Sequence, residues 1–229
     1  MKLTNNLKVF AIAAGLAVPA FSASVAQAEV SANIGISNMY LWRGQNLTPD
    51  APQVHGGIEF SNGEGLYGGL WTTNEDDGHE TDLYIGYGGE AGDISYDVSY
   101  WHYLYPEDGL AGEGPTTPTN VGLGDNSLSE LVIGLGYQDF GLTLYNSVEA
   151  QDGSDWLYYT IDYTAGKYNI LYGAWTYSDA GNNEYSHVTV SYSYDDNLSL
   201  AVSVAQEDVT DGVETDPLFQ VSYNIPLGK

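Results

Sequence analysis

Residues 156–178 read WLYYTIDYTAGKYNILYGAWTYS, a short alternating stretch, a two-residue break and a second alternating stretch. Trp156 to Ala165 and Tyr168 to Ser178 have the period of two that marks strands. Gly166-Lys167 between them has the length and glycine content of a hairpin turn. Successive side chains on a strand point to opposite sides. Ile161, Tyr163, Tyr168 and Ile170 therefore fall on an apolar face, and Tyr158 and Asp162 on a polar one.

The same unit recurs along the chain after residue 29. The pattern predicts strands at Val30 to Trp42, Gln53 to Ser61, Leu66 to Thr73, Thr81 to Gly88 and Ile94 to Tyr103. Further strands are predicted at Leu128 to Tyr137, Phe140 to Ala150, His187 to Tyr194, Leu198 to Gln206 and Leu218 to Ile225. With the opening pair this gives about twelve, each near the length a tilted strand needs to cross a bilayer. Tight breaks rich in Gly, Asn and Asp (Asn62-Gly63-Glu64, Gly89 to Gly92, Gln138-Asp139, Gly166-Lys167, Asp195-Asp196-Asn197) alternate with generally longer ones. The long ones are Gly44 to Ala51, Asn74 to Glu80, Leu104 to Asn126, Gln151 to Asp155, Asp179 to Glu184 and Glu207 to Asp216. Outer-membrane barrels have that rhythm, with short periplasmic turns and longer outer loops. The fold class expected is all-β: an antiparallel, up-and-down transmembrane β-barrel.

Two facial patterns separate this reading from a secreted β-sandwich, whose strands also alternate. At the short-turn end the apolar faces finish in Phe60, Tyr87, Tyr137, Phe140, Tyr163, Tyr168, Tyr194 and Tyr223. Aliphatics such as Ile58, Ile85, Ile133, Leu144, Val190, Val202 and Val221 lie between them and the loops. Rings that are apolar on one side and wet on the other settle at a lipid boundary. The opposite faces carry Arg43, His55, Glu59, Asp82, Asp97, Trp101, Glu130, Glu149, Tyr158, Asp162 and His187, the candidate pore-lining residues. Six acids against one arginine predict a lumen that favours cations. On this reading Tyr40 and Trp42 end the first strand facing lipid, and the loop Leu104 to Asn126 is long enough to fold inward.

Composition narrows the function classes. The net charge is −26, with 31 acidic against five basic residues, so the surface repels phosphate and nucleic-acid binding is excluded. Lys2 and Lys8, the apolar run Val9 to Phe21 and the Ala26-Gln27-Ala28 site form a signal peptide over residues 1–28, leaving a barrel domain over 29–229. Absence of cysteine excludes a disulfide framework. Among His55, His79, His102 and His187 no pair has metal spacing on one strand, and no G-x-S-x-G elbow is present. His102, on the lipid-facing parity near the outer rim, is where a lipid-active enzyme would work. The acidic loops Asn74 to Gly78 and Asp152 to Asp155 lack the EF-hand spacing.

Residues 31–106 resemble the TorF family of porins from Gram-negative bacteria. The resemblance is carried by Tyr40-Leu41-Trp42-Arg43-Gly44, Pro52-Gln53-Val54-His55-Gly56-Gly57, Gly65 to Asn74, Glu80 to Tyr87 and Tyr105-Pro106. His55 stands where family members often have Gln, and the chain ends on Lys229 instead of an aromatic. The resemblance implies an outer-membrane barrel with pore activity. The expectation is an outer-membrane channel, not an enzyme, for passive diffusion of small hydrophilic solutes or ions, with a preference for cations. Its partners would be outer-membrane lipid, lipopolysaccharide and those solutes, with no cofactor or metal. The alternatives are a non-conducting barrel acting as adhesin or surface scaffold, and a barrel enzyme acting on lipid.

Overall fold

The computed structural model describes residues 29–76, 78–105, 127–149, 156–177, 185–207 and 213–227. The predicted signal peptide and the loop from residue 106 to Asn126 lie outside these residues. The elements are β1 (Glu29–Ser37), β2 (Leu41–Trp42), β3 (Gln45–Asn46), β4 (Gln53–Ser61), β5 (Leu66–Glu75), β6 (Gly78–Ala91) and β7 (Ile94–Leu104). They continue with β8 (Ser127–Tyr137), β9 (Phe140–Glu149), β10 (Trp156–Ala165), β11 (Tyr168–Tyr177), β12 (Tyr185–Ser193), β13 (Leu198–Glu207) and β14 (Leu218–Leu227).

Twelve of these strands, β1 and β4 to β14, form one closed antiparallel barrel in which each strand pairs with its neighbours in sequence. The ring closes where β1 pairs on one side with β14, from Ala32↔Leu227 to Ser37↔Ser222, and on the other with β4, from Glu29↔Ser61 to Ser37↔Gln53. The opening hairpin is in register as its sequence predicts, from Trp156↔Tyr177 to Ala165↔Tyr168 across Gly166-Lys167. Gly166 takes a φ of 64°, and Gln138 takes 55° in the equally tight turn between β8 and β9. In the turn after β12, Asp195 accepts the backbone N–H groups of Asn197 and Leu198 at 2.9 and 2.8 Å. Those two donors hold its carboxyl below the usual carboxylate range.

The apolar surface is on the outside. Ile58, Ile161 and Ile170 are each 51% exposed, and all eight aromatics predicted at the short-turn end are at least 40% exposed. Several of these rings meet across strands, Phe140 with Tyr163 and Tyr168 with Tyr192, both at 4.9 Å between centroids. Of the aliphatics named between the girdle and the loops, Leu144 alone is half-buried instead of exposed. A continuous apolar belt of this extent is incompatible with water and matches a hydrocarbon surrounding. Polar side chains are inside: Ser203, Glu130, Asp82, Gln53 and Thr160 are all among the most buried.

One expectation for the first strand fails. β1 ends at Ser37, and the chain then turns into the barrel mouth, where β2 and β3 form a small hairpin paired Leu41↔Asn46 and Trp42↔Gln45. Tyr40 and Leu41 are buried, so Tyr40 and Trp42 do not face lipid. On the β4 side pairing ends at Ser37↔Gln53, where β4 begins. On the β14 side Asn38 makes a last backbone bond to the Val221 carbonyl and then diverts the chain by bonding to β14 through both of its side-chain atoms. Its Nδ2 donates to the Phe219 carbonyl at 2.8 Å, and its Oδ1 accepts from the Val221 N–H at 2.7 Å.

The exterior assignment can be checked at the middle of β10. Ile161→Arg should destabilise the folded barrel by about 2–4 kcal/mol in lipid, the cost of a cation at the bilayer midplane. Reversible urea unfolding in vesicles measures this, and a cost near zero would show that Ile161 does not meet hydrocarbon.

Candidate functional site

The interior has two regions. Toward the short-turn end, on β4 to β7, carboxylates alternate with tyrosines. Tyr84 donates its hydroxyl to Glu59 at 3.0 Å and Tyr67 donates to Asp97 at 2.7 Å. Trp101 stacks on Tyr84 with centroids 4.2 Å apart and donates its indole N–H to Ser99 at 3.1 Å. A ladder of rings thus runs Tyr67, Tyr84, Trp101, Tyr103, with neighbouring centroids 6.2, 4.2 and 6.3 Å apart. Across the lumen Asp162 accepts from Asn169 Nδ2 at 2.9 Å. Glu59, Asp97 and Trp101 are partly accessible, so this region presents acids and ring faces to the inside.

Deeper toward the long loops, the inward hairpin occupies the barrel. Arg43 at its tip has a φ of 47° and Gly44 one of 86°. Gly44 is required there on two counts, because a Cβ would also come within 2.6 Å of the His187 ring. The Arg43 guanidinium pairs with Glu130 at 2.5 Å, both side chains being at most 3% exposed. Its central carbon lies 4.3 to 5.3 Å from the ring centroids of Trp42, Tyr145, Trp156, Tyr158 and Trp175. Glu130 also accepts the Tyr103 hydroxyl at 2.7 Å. One buried nitrogen of the guanidinium, Nη1, has no hydrogen-bond partner, so ring faces instead of acceptors surround that side.

The hairpin is tied on several sides. Tyr40 N–H donates to Thr48 Oγ1 at 2.8 Å and Leu47 N–H to the Tyr40 carbonyl at 2.8 Å. Tyr185 donates to the Arg43 carbonyl at 3.1 Å, and Gln220 donates to the Met39 carbonyl at 3.0 Å. Tyr40 further donates to Glu80 at 3.0 Å. Glu80 and Asp82 are 2% and 1% exposed, and Asp82 Oδ1 has no hydrogen-bond partner.

The predicted lumen residues are therefore found inside, but not as a set of charges bathed in water. Arg43, Glu130 and Tyr158 come together in one dry cluster with His187, whose Nε2 lies 2.7 Å from the Tyr158 hydroxyl. His55 is separate, 2.7 Å from Asn224 Oδ1 and beside Trp71. Glu59, Asp97 and Trp101 belong to the ladder region, and Asp162 stands apart with Asn169. Glu149 lies in β9, and its side chain is outside the described part. Arg43 projects from the inserted hairpin and not from a wall strand. Glu80 was missed because β6 begins earlier than predicted; it shares the inward parity of Asp82 and Tyr84. All five tryptophans are also inward, Trp156 sharing parity with Tyr158.

His102 keeps the outward parity of Tyr100 and of its cross-strand partner Leu83, but it is covered instead of meeting lipid. It is 5% exposed, with Nδ1 2.8 Å from Ser129 Oγ, and its Nε2 has no hydrogen-bond partner. Among the described residues no group of three or more acidic or histidine side chains is placed to hold a metal ion.

A closed twelve-strand barrel with an apolar exterior and a polar, aromatic interior defines the chain as a barrel of the porin type in its fold. More particularly, the model of a family described as "Bacterial protein of unknown function (Gcw_chp)" matches residues 22–212, and the chain belongs to that family. No curated protein matches in sequence. Among solved structures the chain is similar to KdgM porin, with a TM-score of 0.53 and 12% identity over 87% of this chain and 99% of the other. It also matches KdgM porin in complex with disordered oligogalacturonate (TM-score 0.48, 11% identity, 88% and 99% covered). A third match is outer membrane phospholipase A from Escherichia coli (TM-score 0.42, 11% identity, 86% and 92% covered).

The Arg43–Glu130 pair is testable as a unit. Glu130→Gln leaves an uncompensated cation in the cage and should cost about 3–5 kcal/mol, whereas Arg43→Met combined with Glu130→Gln should cost much less. Urea unfolding of the refolded barrels gives both values; equal losses in the single and double variants would contradict a coupled buried pair.

Proposed function

We propose that this protein is an outer-membrane channel that admits small hydrophilic solutes or ions by passive diffusion and prefers cations. The observation that carries the reading is the interior of the closed barrel. Glu59 and Asp97 present partly accessible carboxylates to it and Asp162 bonds to Asn169, while Glu130 is paired with Arg43 and Glu80 and Asp82 are enclosed. Among the described residues Arg43 is the one arginine or lysine that reaches it. Carboxylates confined between low-dielectric walls raise the local concentration of cations and exclude anions. The similarity of residues 31–106 to TorF porins and the fold shared with KdgM porin support the same function. The inserted hairpin narrows the lumen, which suits a selective path better than a wide sieve.

The short turns then face the periplasm and the longer loops the exterior, with residues 1–28 removed as a signal peptide during export. The outer surface would contact outer-membrane lipid and, on the outer leaflet, lipopolysaccharide. Passive transport, and not catalysis on lipid, is favoured by the burial of His102: its ring is 5% exposed, held to Ser129 through Nδ1, and its Nε2 meets no carboxylate.

Purified, folded protein in a planar bilayer should give stepwise currents. In a KCl gradient the reversal potential should have the sign of cation selectivity. Replacing Glu59 with Gln and Asp97 with Asn together should move that potential toward zero. A silent barrel would refute the channel, and a chloride-selective sign would refute the role given to the lumen carboxylates.

A further inference from the structure

The cage around Arg43 is built by the barrel wall and not by the hairpin that enters it. Tyr158 on β10 is the direct cross-strand partner of Tyr145 on β9 and of Trp175 on β11. Their rings form a row along the inner wall, with centroids 5.4 and 5.0 Å apart. Trp156 meets Trp175 edge-on at 4.7 Å, and Glu130 descends from the adjoining β8. The hydrogen-bond ladders of four consecutive strands fix the backbone positions from which these side chains project. Only Trp42 arrives with the hairpin.

The chemistry of the cage is specific. A carboxylate faces one edge of the cation and aromatic rings surround the rest, leaving Nη1 without an acceptor. Such a site suits a flat, delocalised and weakly hydrated cation that can present N–H groups to Glu130 and its faces to rings. The chain places its own cation there at a conformational cost, since a non-glycine residue at the hairpin tip is held at positive φ. We propose that the cage is a recognition site for guanidinium-bearing solutes, occupied in cis by Arg43 as an internal ligand. The inference rests on the channel reading for its biological sense: such solutes would compete with Arg43 on their way through the lumen. The site itself is a statement about binding.

The test uses Arg43→Ala in the full-length folded barrel, where truncation vacates the guanidinium position. Methylguanidinium chloride at millimolar concentrations should change tryptophan fluorescence saturably and raise the thermal midpoint by several degrees. Sodium chloride and tetramethylammonium chloride at equal ionic strength should do neither, and Glu130→Gln added to Arg43→Ala should weaken the response at least tenfold. No saturable response, an equal response to tetramethylammonium, or a response indifferent to Glu130 would overturn the proposal. If Arg43→Ala does not fold alone, its refolding yield reads the same occupancy. Rescue by methylguanidinium and not by tetramethylammonium supports the site, and equal yields in both overturn it. Because these measurements read binding and not current, a conducting barrel without the site and a silent barrel with it give different results.

Discussion

The structure depends on closure of the sheet between β1 and β14. A strand edge left open against hydrocarbon would expose a row of N–H and C=O groups at several kcal/mol each, so a sheet with an apolar exterior is viable only as a ring. β1 meets this demand along most of its length, bonded to β14 on one side and β4 on the other. Once the ring is closed, side-chain parity has only two destinations. Ile34 and Ile36 go outward, while Ser37 and, on the next strand, Gln53 and His55 go inward. Ser37 and Gln53 then bond to each other at 2.8 Å, which begins the polar interior where the pairing of β1 ends.

Closure with twelve strands creates a second problem. Eight-stranded barrels fill with their own wall side chains, but a wider ring leaves space that isolated polar groups cannot fill. Here the segment after β1 supplies the filling. Its hairpin brings Tyr40, Leu41, Trp42 and Arg43 inside, against the aromatic row on β9 to β11 and the carboxylates of β6 and β8. Each inserted group meets a partner suited to it: the Arg43 guanidinium meets Glu130 and ring faces, Tyr40 meets Glu80, and the Arg43 carbonyl accepts from Tyr185. The more accessible acids, Glu59 and Asp97, remain on the other side of the ladder.

Parity made the outer face legible in the sequence because it is a local property. Ile58, Ile161 and Ile170, and the tyrosines beside the tight turns, could be assigned from period two alone, since each strand carries its own alternation. The same logic failed at Tyr40 and Trp42. They extend the parity of Ile34 and Ile36 past Asn38, and period two cannot register that the Asn38 side chain takes the backbone groups of β14 that a continuing strand would pair with. Arg43-Gly44 held the available signal, because adjacent residues at positive φ mark a tight turn where the reading placed a strand end. The cage was not legible for a different reason. Its members, residues 42, 43, 130, 145, 156, 158 and 175, are joined by register across strands and by an inserted loop, and no spacing along the chain encodes that meeting.

The buried pair has its own logic. A well-packed apolar replacement for a buried ion pair is often as stable or more so, which makes Arg43–Glu130 a poor candidate for a device of stability alone. Its value lies in coupling position to charge. Among the described residues the arginines and lysines are Arg43 and Lys167, and Lys167 sits in a tight turn, so Arg43 is the one placed in the interior. At the hairpin tip it neutralises Glu130 beside Glu80 and Asp82 and covers the aromatic row. Position and charge are therefore set by one contact, since the groups that seat the hairpin tip are the same groups that its cation neutralises.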